Sequence, residues 1–445
     1  MSTGINNGAT CMVAEESSFG SVDATDARAL DTATLAGLTW YSLRVTQDGF
    51  SGASTALKMP TDERSDITLA GGRQPLRVLT AIDASGPVRS ITGDVGIPME
   101  ARGMGTNVPS ATGLGVLLLS GCSAKIATPG ASVTATYATA NTFTVPSAAV
   151  LFPGDIVAVV QTDGTMRGVK ISDVGAGAPA TVTTVEPHGI PAASTATVRL
   201  CHQFFISSDA VPDGGSVAVQ YAPRDGYDTV IGVGARLAKL DITAGPTGAV
   251  NIVPTLRCAD GTYVMAPVAT PTEPLMIGAS GSTALRTRVA PVLVTQDHST
   301  SSAPYSGTAT TLPVREWSVS IEFDLVPVSD QGTRSRMSEM RVSSATLTGS
   351  MTIDSPSTTS ADVRDWLRLS QKRTVGFSAA GANAAGNGCG VWVGSVEPSE
   401  DPGYTFTAND RTQVVPLRAG DYAGDGSTTT PTDGANTPWV LWFVA

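Results

Sequence analysis

Alternation of apolar and polar positions is the main periodic signal in this chain, and it comes in short runs. The clearest is Val319 to Val326, where Val319, Ile321, Phe323 and Leu325 fall on one side and Ser320, Glu322 and Asp324 on the other. That is the period-two pattern of a strand with one face buried. A second run ends at Glu100, with Ile91, Gly93, Val95 and Ile97 alternating with Ser90, Thr92, Asp94 and Gly96. Leu237, Leu240 and Ile242 against Lys239 and Asp241 give a third, partly alternating face, and Met340 to Ile353 is another long candidate. Shorter strands are expected at Leu43 to Thr46, Ile67 to Leu69, Leu76 to Thr80, Thr197 to Ile206, Val217 to Tyr221, Val250 to Arg257, Thr374 to Ser378, Gly390 to Val396, Arg411 to Leu417 and Trp439 to Val444. Helical periodicity is confined to two places. Ser110 to Cys122 is the better helix candidate of the first half, although Gly113 and Gly115 weigh against it. Ser360 to Leu369 puts Val363, Trp366, Leu367 and Leu369 near one face, with Arg364 and Arg368 opposite.

Punctuation divides these runs. Residues 1–38 have little periodicity and read as an extended arm. A first β domain follows at 39–128 and 196–265, interrupted by 129–195, whose short strands and Pro/Gly turns have the rhythm of a small inserted β-barrel. The Pro-, Thr- and Ser-rich stretch 266–313 reads as a linker or long loop. A second β domain occupies 314–445. Both halves run from long alternating strands through a short helix into more strands, a hint of internal duplication.

Composition agrees with a mainly β fold: 15% charged residues, 5% aromatics and 47 glycines in 445 residues suit short strands joined by frequent turns. Lys and Arg number 28 against 39 Asp and Glu, a formal charge of −11. That balance disfavours a surface built to grip phosphates and suits one that nucleic acid slides past. The five cysteines are odd in number and widely spaced, so they form neither a disulfide framework nor a CxxC pair. No basic, apolar leader opens the chain, and the longest apolar runs are too short for a membrane-spanning helix.

Catalytic chemistry is sparse. The three histidines, His188, His202 and His298, have no metal-ligand spacing. Cys201 and His202 are adjacent, but in a strand they point to opposite faces, so a buried thiol and a surface histidine are expected rather than a nucleophile and base. GxGxxG, GK[ST], GxSxG and HExxH are missing. Glu397, Glu400 and Asp401 read as a solvated turn. The expectation is no catalytic residue, no cofactor and no metal. Glu322 and Asp324 are of more interest. A strand puts them on one polar face about 7 Å apart, either as ordinary solvent face or as an acidic wall that repels phosphates, with Asp94, Lys239 and Asp241 as further candidates for the same wall.

Two segments resemble the major tail tube proteins of long-tailed bacteriophages. Gly96 to Thr106 (GIPMEARGMGT) followed by Leu117 to Cys122 (LLLSGC) looks like their strand, Gly-rich bend and ring-packing helix. Tyr227 to Gly245 (YDTVIGVGARLAKLDITAG) followed by Val250 to Leu256 looks like their hairpin and long inner strand. The chain departs from the family in its length, its insert and its second half. The resemblance implies tail-tube-type β-sandwich or half-barrel domains with one short helix each. Leu114, Leu117 and Leu118, and Val363, Trp366 and Leu367, would pack ring to ring. The implied function is a structural virion protein whose stacked rings form the channel for DNA ejection, assembled in the host cytoplasm. Its partners would be itself, as a trimeric pseudo-sixfold or a hexameric ring, then tape-measure, tail terminator and baseplate or tip proteins, with phage DNA in transit and no membrane. Alternatives are a capsid-decorating or tail-tip protein, a carbohydrate-active or peptidase β-protein, and a surface adhesin.

Overall fold

The structure is a computed structural model, and it describes residues 10–21, 32–43, 93–101, 104, 107–147, 150–206, 212–222, 229–245, 250–264, 268, 292–294, 310–312, 314–329, 337–354, 363, 365–380, 386–401, 403–407, 410–420 and 437–445. The strands expected at 67–69 and 76–80, most of that at 43–46, and the start of the run that ends at Glu100 lie outside these residues.

The chain opens with β1 (Thr10–Glu15), a short helix α1 (Thr32–Gly37), β2 (Tyr41–Leu43), β3 (Gly93–Gly96) and β4 (Met99–Glu100). Helix α2 (Gly113–Leu119) and β5 (Ser123–Lys125) follow. Next come β6 (Ser132–Tyr137), β7 (Thr142–Val145), β8 (Ile156–Val160), β9 (Met166–Val174), β10 (Ala180–Thr184) and the long β11 (Thr195–Phe205). The middle of the chain gives β12 (Val217–Ala222), β13 (Thr229–Ala244), β14 (Asn251–Cys258), β15 (Asp260–Val264), β16 (Val292–Val294) and β17 (Thr310–Leu312). The last part supplies β18 (Val314–Ser329), β19 (Met337–Asp354), a helical stretch at 363 and 365–368, β20 (Arg373–Ala380), β21 (Gly388–Pro398), β22 (Gly403–Thr407), β23 (Asp410–Ala419) and β24 (Trp439–Val444). The fold is mainly β, about 60% strand.

A front sheet runs β3/β4–β14–β13–β18–β19–β23, antiparallel throughout. A back sheet runs β5–β11–β24–β21–β20–β16–β17. The two pack face to face, the arrangement of a β-sandwich: Trp317 of β18 meets Phe377 of β20 with ring centroids 5.0 Å apart, and Phe323 meets Trp439 of β24 at 6.3 Å. The alternation read from the sequence explains the front sheet. Val319, Ile321, Phe323, Leu240, Ile242, Leu347, Met351, Val415 and Leu417 are buried on one side of it, each burial contributing about 1.5–3 kcal/mol. Back-sheet strands do not alternate. Trp439 to Val444 is buried at every position, because β24 has the sandwich core on one side and the barrel on the other.

That barrel is closed. β6 pairs with β7, β7 with β10, β10 with β9, β9 with β8, β8 with β11 and β11 with β6, leaving no open edge. It has its own core of Tyr137, Phe143, Val157, Val169, Val182 and Val198 among others. Its strands run from Ser132 to the first half of β11, past the 129–195 bounds expected for the insert. β11 then continues into the back sheet, where Cys201–Phe204 pairs with β24.

Three expectations change. The arm contains β1, paired between β12 and β2, with Cys11, Met12, Val13 and Ala14 all buried. Glu16 fixes its end: Oε2 accepts from Gly234 N at 2.9 Å and Ser216 Oγ at 2.6 Å. The linker at 266–313 contains β16 and β17, and β16 pairs with β20, so this stretch is sewn into the back sheet. The two halves do not have separate cores. One cluster joins Val95, Leu117 and Leu240 to Ile321, Phe377 and Phe443.

Candidate functional site

Among the described residues, the outward face of the front sheet is mostly polar, with Val253, Val326 and Val414 as apolar members. One rung of register partners crosses six strands: Val253, Asp241, Ser320, Thr348, Arg418 and Glu397. The next runs Gly96, Thr255, Lys239, Glu322 and Thr346. On the other side lie Asn251, Thr243, Ser318, Ser350 and Pro416, with Ser318 Oγ and Ser350 Oγ 2.9 Å apart. All five candidates for an acidic wall, Asp94, Lys239, Asp241, Glu322 and Asp324, come together on this face, although the chain spreads them over more than two hundred residues. Strand periodicity puts them there, helped by a bulge between Leu237 and Lys239 that turns Lys239 outward although Leu237, two residues earlier, is buried.

Their charges are mostly paired. Arg257 of β14, which no sequence pattern singled out, grips Asp94 with both arms: Nε–Oδ1 is 2.9 Å and the second nitrogen reaches Oδ2 at 3.1 Å. This fork holds the Arg257 guanidinium pKa above its ordinary value, with Asp324 adding a smaller attraction. Lys239 Nζ lies 3.2 Å from Asp241 Oδ1 and 3.7 Å from Glu322 Oε1. Arg418 and Glu397 pair at 2.7 Å. Asp324 accepts from Ser343 Oγ at 2.7 Å, and Glu316 from Thr352 Oγ1 at 2.9 Å. Arg341 pairs with Glu339 of its own strand. Among the described residues of this face, Asp94, Asp241, Glu316, Glu322, Asp324, Glu339 and Glu397 outnumber Lys239, Arg257, Arg341 and Arg418, so it keeps an acidic excess.

The helix residues behave otherwise. Leu114, Leu117 and Leu118 are buried in the protein's own core, as is all of α2, and so are Val363 and Trp366. Leu367 is half-buried. Buried within the chain, Leu114, Leu117, Leu118, Val363 and Trp366 are not free to pack ring to ring, which corrects that expectation; Leu369, in the turn after the second helical stretch, is 56% exposed.

Cys201 and His202 do point apart. The histidine is fully buried rather than at a strand surface, because β11 is covered on both sides. Burial pushes the Cys201 thiol pKa up and the His202 imidazole down to about 4, which fits neither to nucleophile-base chemistry. Glu397 belongs to β21 rather than to a turn, and Glu400 and Asp401 lie exposed beyond it. Among the described residues, no group of three or more His, Cys, Asp or Glu is placed to hold a metal ion.

Two polar features lie where barrel and sandwich meet, and neither was legible in the sequence. A cavity of about 210 Å³ is lined by Lys125, Phe152, Asp155 and Gln203. Its polar groups are committed to one another: Lys125 pairs with Asp155, Asp155 Oδ2 accepts from Phe152 N at 3.0 Å, and Gln203 accepts from Ile156 N at 3.1 Å. Deeper, buried Glu186 accepts from Trp392 Nε1 and from Lys170 N at 3.0 Å, while Lys170 Nζ sits 4.1 Å over the Trp392 ring. Desolvation raises the Glu186 pKa despite these partners. Both arrangements brace the junction. No protein-family model matches the chain, and no curated protein matches it.

Proposed function

We propose that this protein is a structural tube subunit of the tail-tube kind, with the polar face of its front sheet lining a channel for DNA. The observation that carries the proposal is the front sheet itself: six strands wide, with a mostly polar and net acidic outer face, and with the end of its β18–β19 hairpin unpaired on both sides. Among the described residues, β19 from Met337 to Leu347 has β18 on one side and no strand on the other, and β18 beyond Glu322 is likewise open on its β13 side. Unpaired backbone on so long a hairpin is an aggregation hazard in a monomer and a joining surface in a ring. Each half contributes one long hairpin, β13–β14 and β18–β19, side by side through β13–β18. That arrangement supports reading the halves as two tube-like repeats, three chains to a pseudo-sixfold ring.

Negative-stain images of the purified protein test the proposal. Rings or tubules with a central hole are expected, and a homogeneous monomer at high concentration would sink it. A capsid-decorating protein would instead give a small oligomer that binds capsids.

A further inference from the structure

We infer that the carboxylates of the front-sheet face act locally, by masking its cations from DNA phosphates, rather than only through the summed negative field. This rests on the channel reading and adds to it which residues keep nucleic acid from sticking. Lys239, Arg257 and Arg418 each have a carboxylate from a neighbouring strand in hydrogen-bond or ion-pair contact. Glu322 and Asp241 hold Lys239 from two sides, Asp94 takes Arg257 in a fork, and Glu397 takes Arg418. Glu316 and Asp324, on the same face, accept from hydroxyls instead; among the described residues neither is in ion-pair contact with a cation, Asp324 adding only a weaker attraction to Arg257.

Such exposed pairs contribute little to stability, so stability does not account for this distribution. Its effect falls on a passing polyanion. A phosphate gains affinity for a protein cation by releasing the counterion condensed on the DNA. A cation already neutralised by a fixed carboxylate must give up that partner before it can do so. At 0.15 M salt the screening length is about 8 Å, so a carboxylate within 4 Å of the cation opposes phosphate contact far more than one several residues along the face.

Two charge-matched double variants separate the two mechanisms. Asp241→Asn with Glu322→Gln unmasks Lys239, and Glu316→Gln with Asp324→Asn removes the same charge without unmasking it. Binding of a labelled DNA duplex is measured across a salt series. The unmasked variant should bind at least about tenfold tighter than the parent at low salt, with an affinity that falls as salt rises, while the control stays within about twofold of the parent. Adding Lys239→Ala to the unmasked variant should return binding to the parental level, and thermal unfolding verifies that each variant is folded. Equal gains in both double variants, or a gain in neither, would overturn the masking. Negative-stain images of the same preparations report on the channel separately: rings without the gain in binding sink the masking alone, and a gain without rings sinks the channel.

Discussion

Single residues decide where this fold is rigid. Trp442 of β24 lies between two glycines from distant parts of the chain. A Cβ at Gly168 would come within 2.5 Å of the indole ring, and one at Gly390 within 2.5 Å of the ring and 2.2 Å of the Phe377 carbonyl oxygen. Neither backbone can move away cheaply, so Gly168→Ala and Gly390→Ala should each destabilise by about 1–3 kcal/mol or more, seen as a lowered urea midpoint. Neither glycine stands out in the sequence, because a glycine that admits a ring 274 residues further on (Gly168) or 52 (Gly390) looks like a turn glycine. His202 gives a pH prediction. Its imidazole pKa lies near 4 when folded and near 6.5 when unfolded, so the unfolded state takes up the proton first. Stability should therefore be undiminished above about pH 6.5 and fall as the pH drops towards 4, by on the order of 3 kcal/mol. His202→Leu should flatten that slope in denaturation midpoints compared at pH 7 and pH 5, leaving the part that belongs to His188, whose pKa is also lowered by burial.

At the level of elements, the sequence was most readable where one face meets the core and the other meets solvent. β18 and β19 follow their alternation closely, and the structure extends both beyond the predicted ends. β1 was missed because Cys11 to Ala14 is buried on both faces and carries no period. β24 and the half of β11 that leaves the barrel are also buried at nearly every position and carry no period, yet both were expected as strands, from runs of β-branched and aromatic residues. Helix α2 shows why its glycines misled. A Cβ at Gly115 would lie 2.1 Å from the Pro109 carbonyl oxygen and one at Gly113 2.6 Å from Leu43, so the low helix propensity is accepted for a close approach. Thr112 starts the helix, its Oγ1 accepting from Gly115 N at 3.0 Å. Thr112→Ala should cost about 1 kcal/mol, and Gly115→Ala considerably more; parallel thermal melts of the two variants check this order. The five wall candidates were legible as strand positions, but Arg257 and Arg418, which neutralise part of their charge, were not. Pairing partners follow from register across strands, and a single sequence gives no register for strands so far apart.

The whole molecule is less divisible than its punctuation suggests. β24 joins the end of the chain to β11 and β21, and the long segment rich in Pro, Thr and Ser is stitched to β20. Deleting residues 439–445 would remove an interior strand of the back sheet and expose Trp392 and Phe204. The truncated chain should lose its near-ultraviolet circular dichroism and become insoluble; a soluble truncation with the parental spectrum would contradict the single core. β11 has a further consequence, mechanical rather than thermodynamic. One unbroken strand is a wall of the barrel over its first half and a rib of the sandwich over its second, with a ladder along its whole length and ladders on both sides at Val198–Arg199 and Gln203–Phe204. A pull on the barrel is therefore delivered to the sandwich along the strand axis, as shear spread over many backbone bonds at once instead of unzipping them in turn. The barrel should behave under load as a bracket welded to the body, not as a bead on a string.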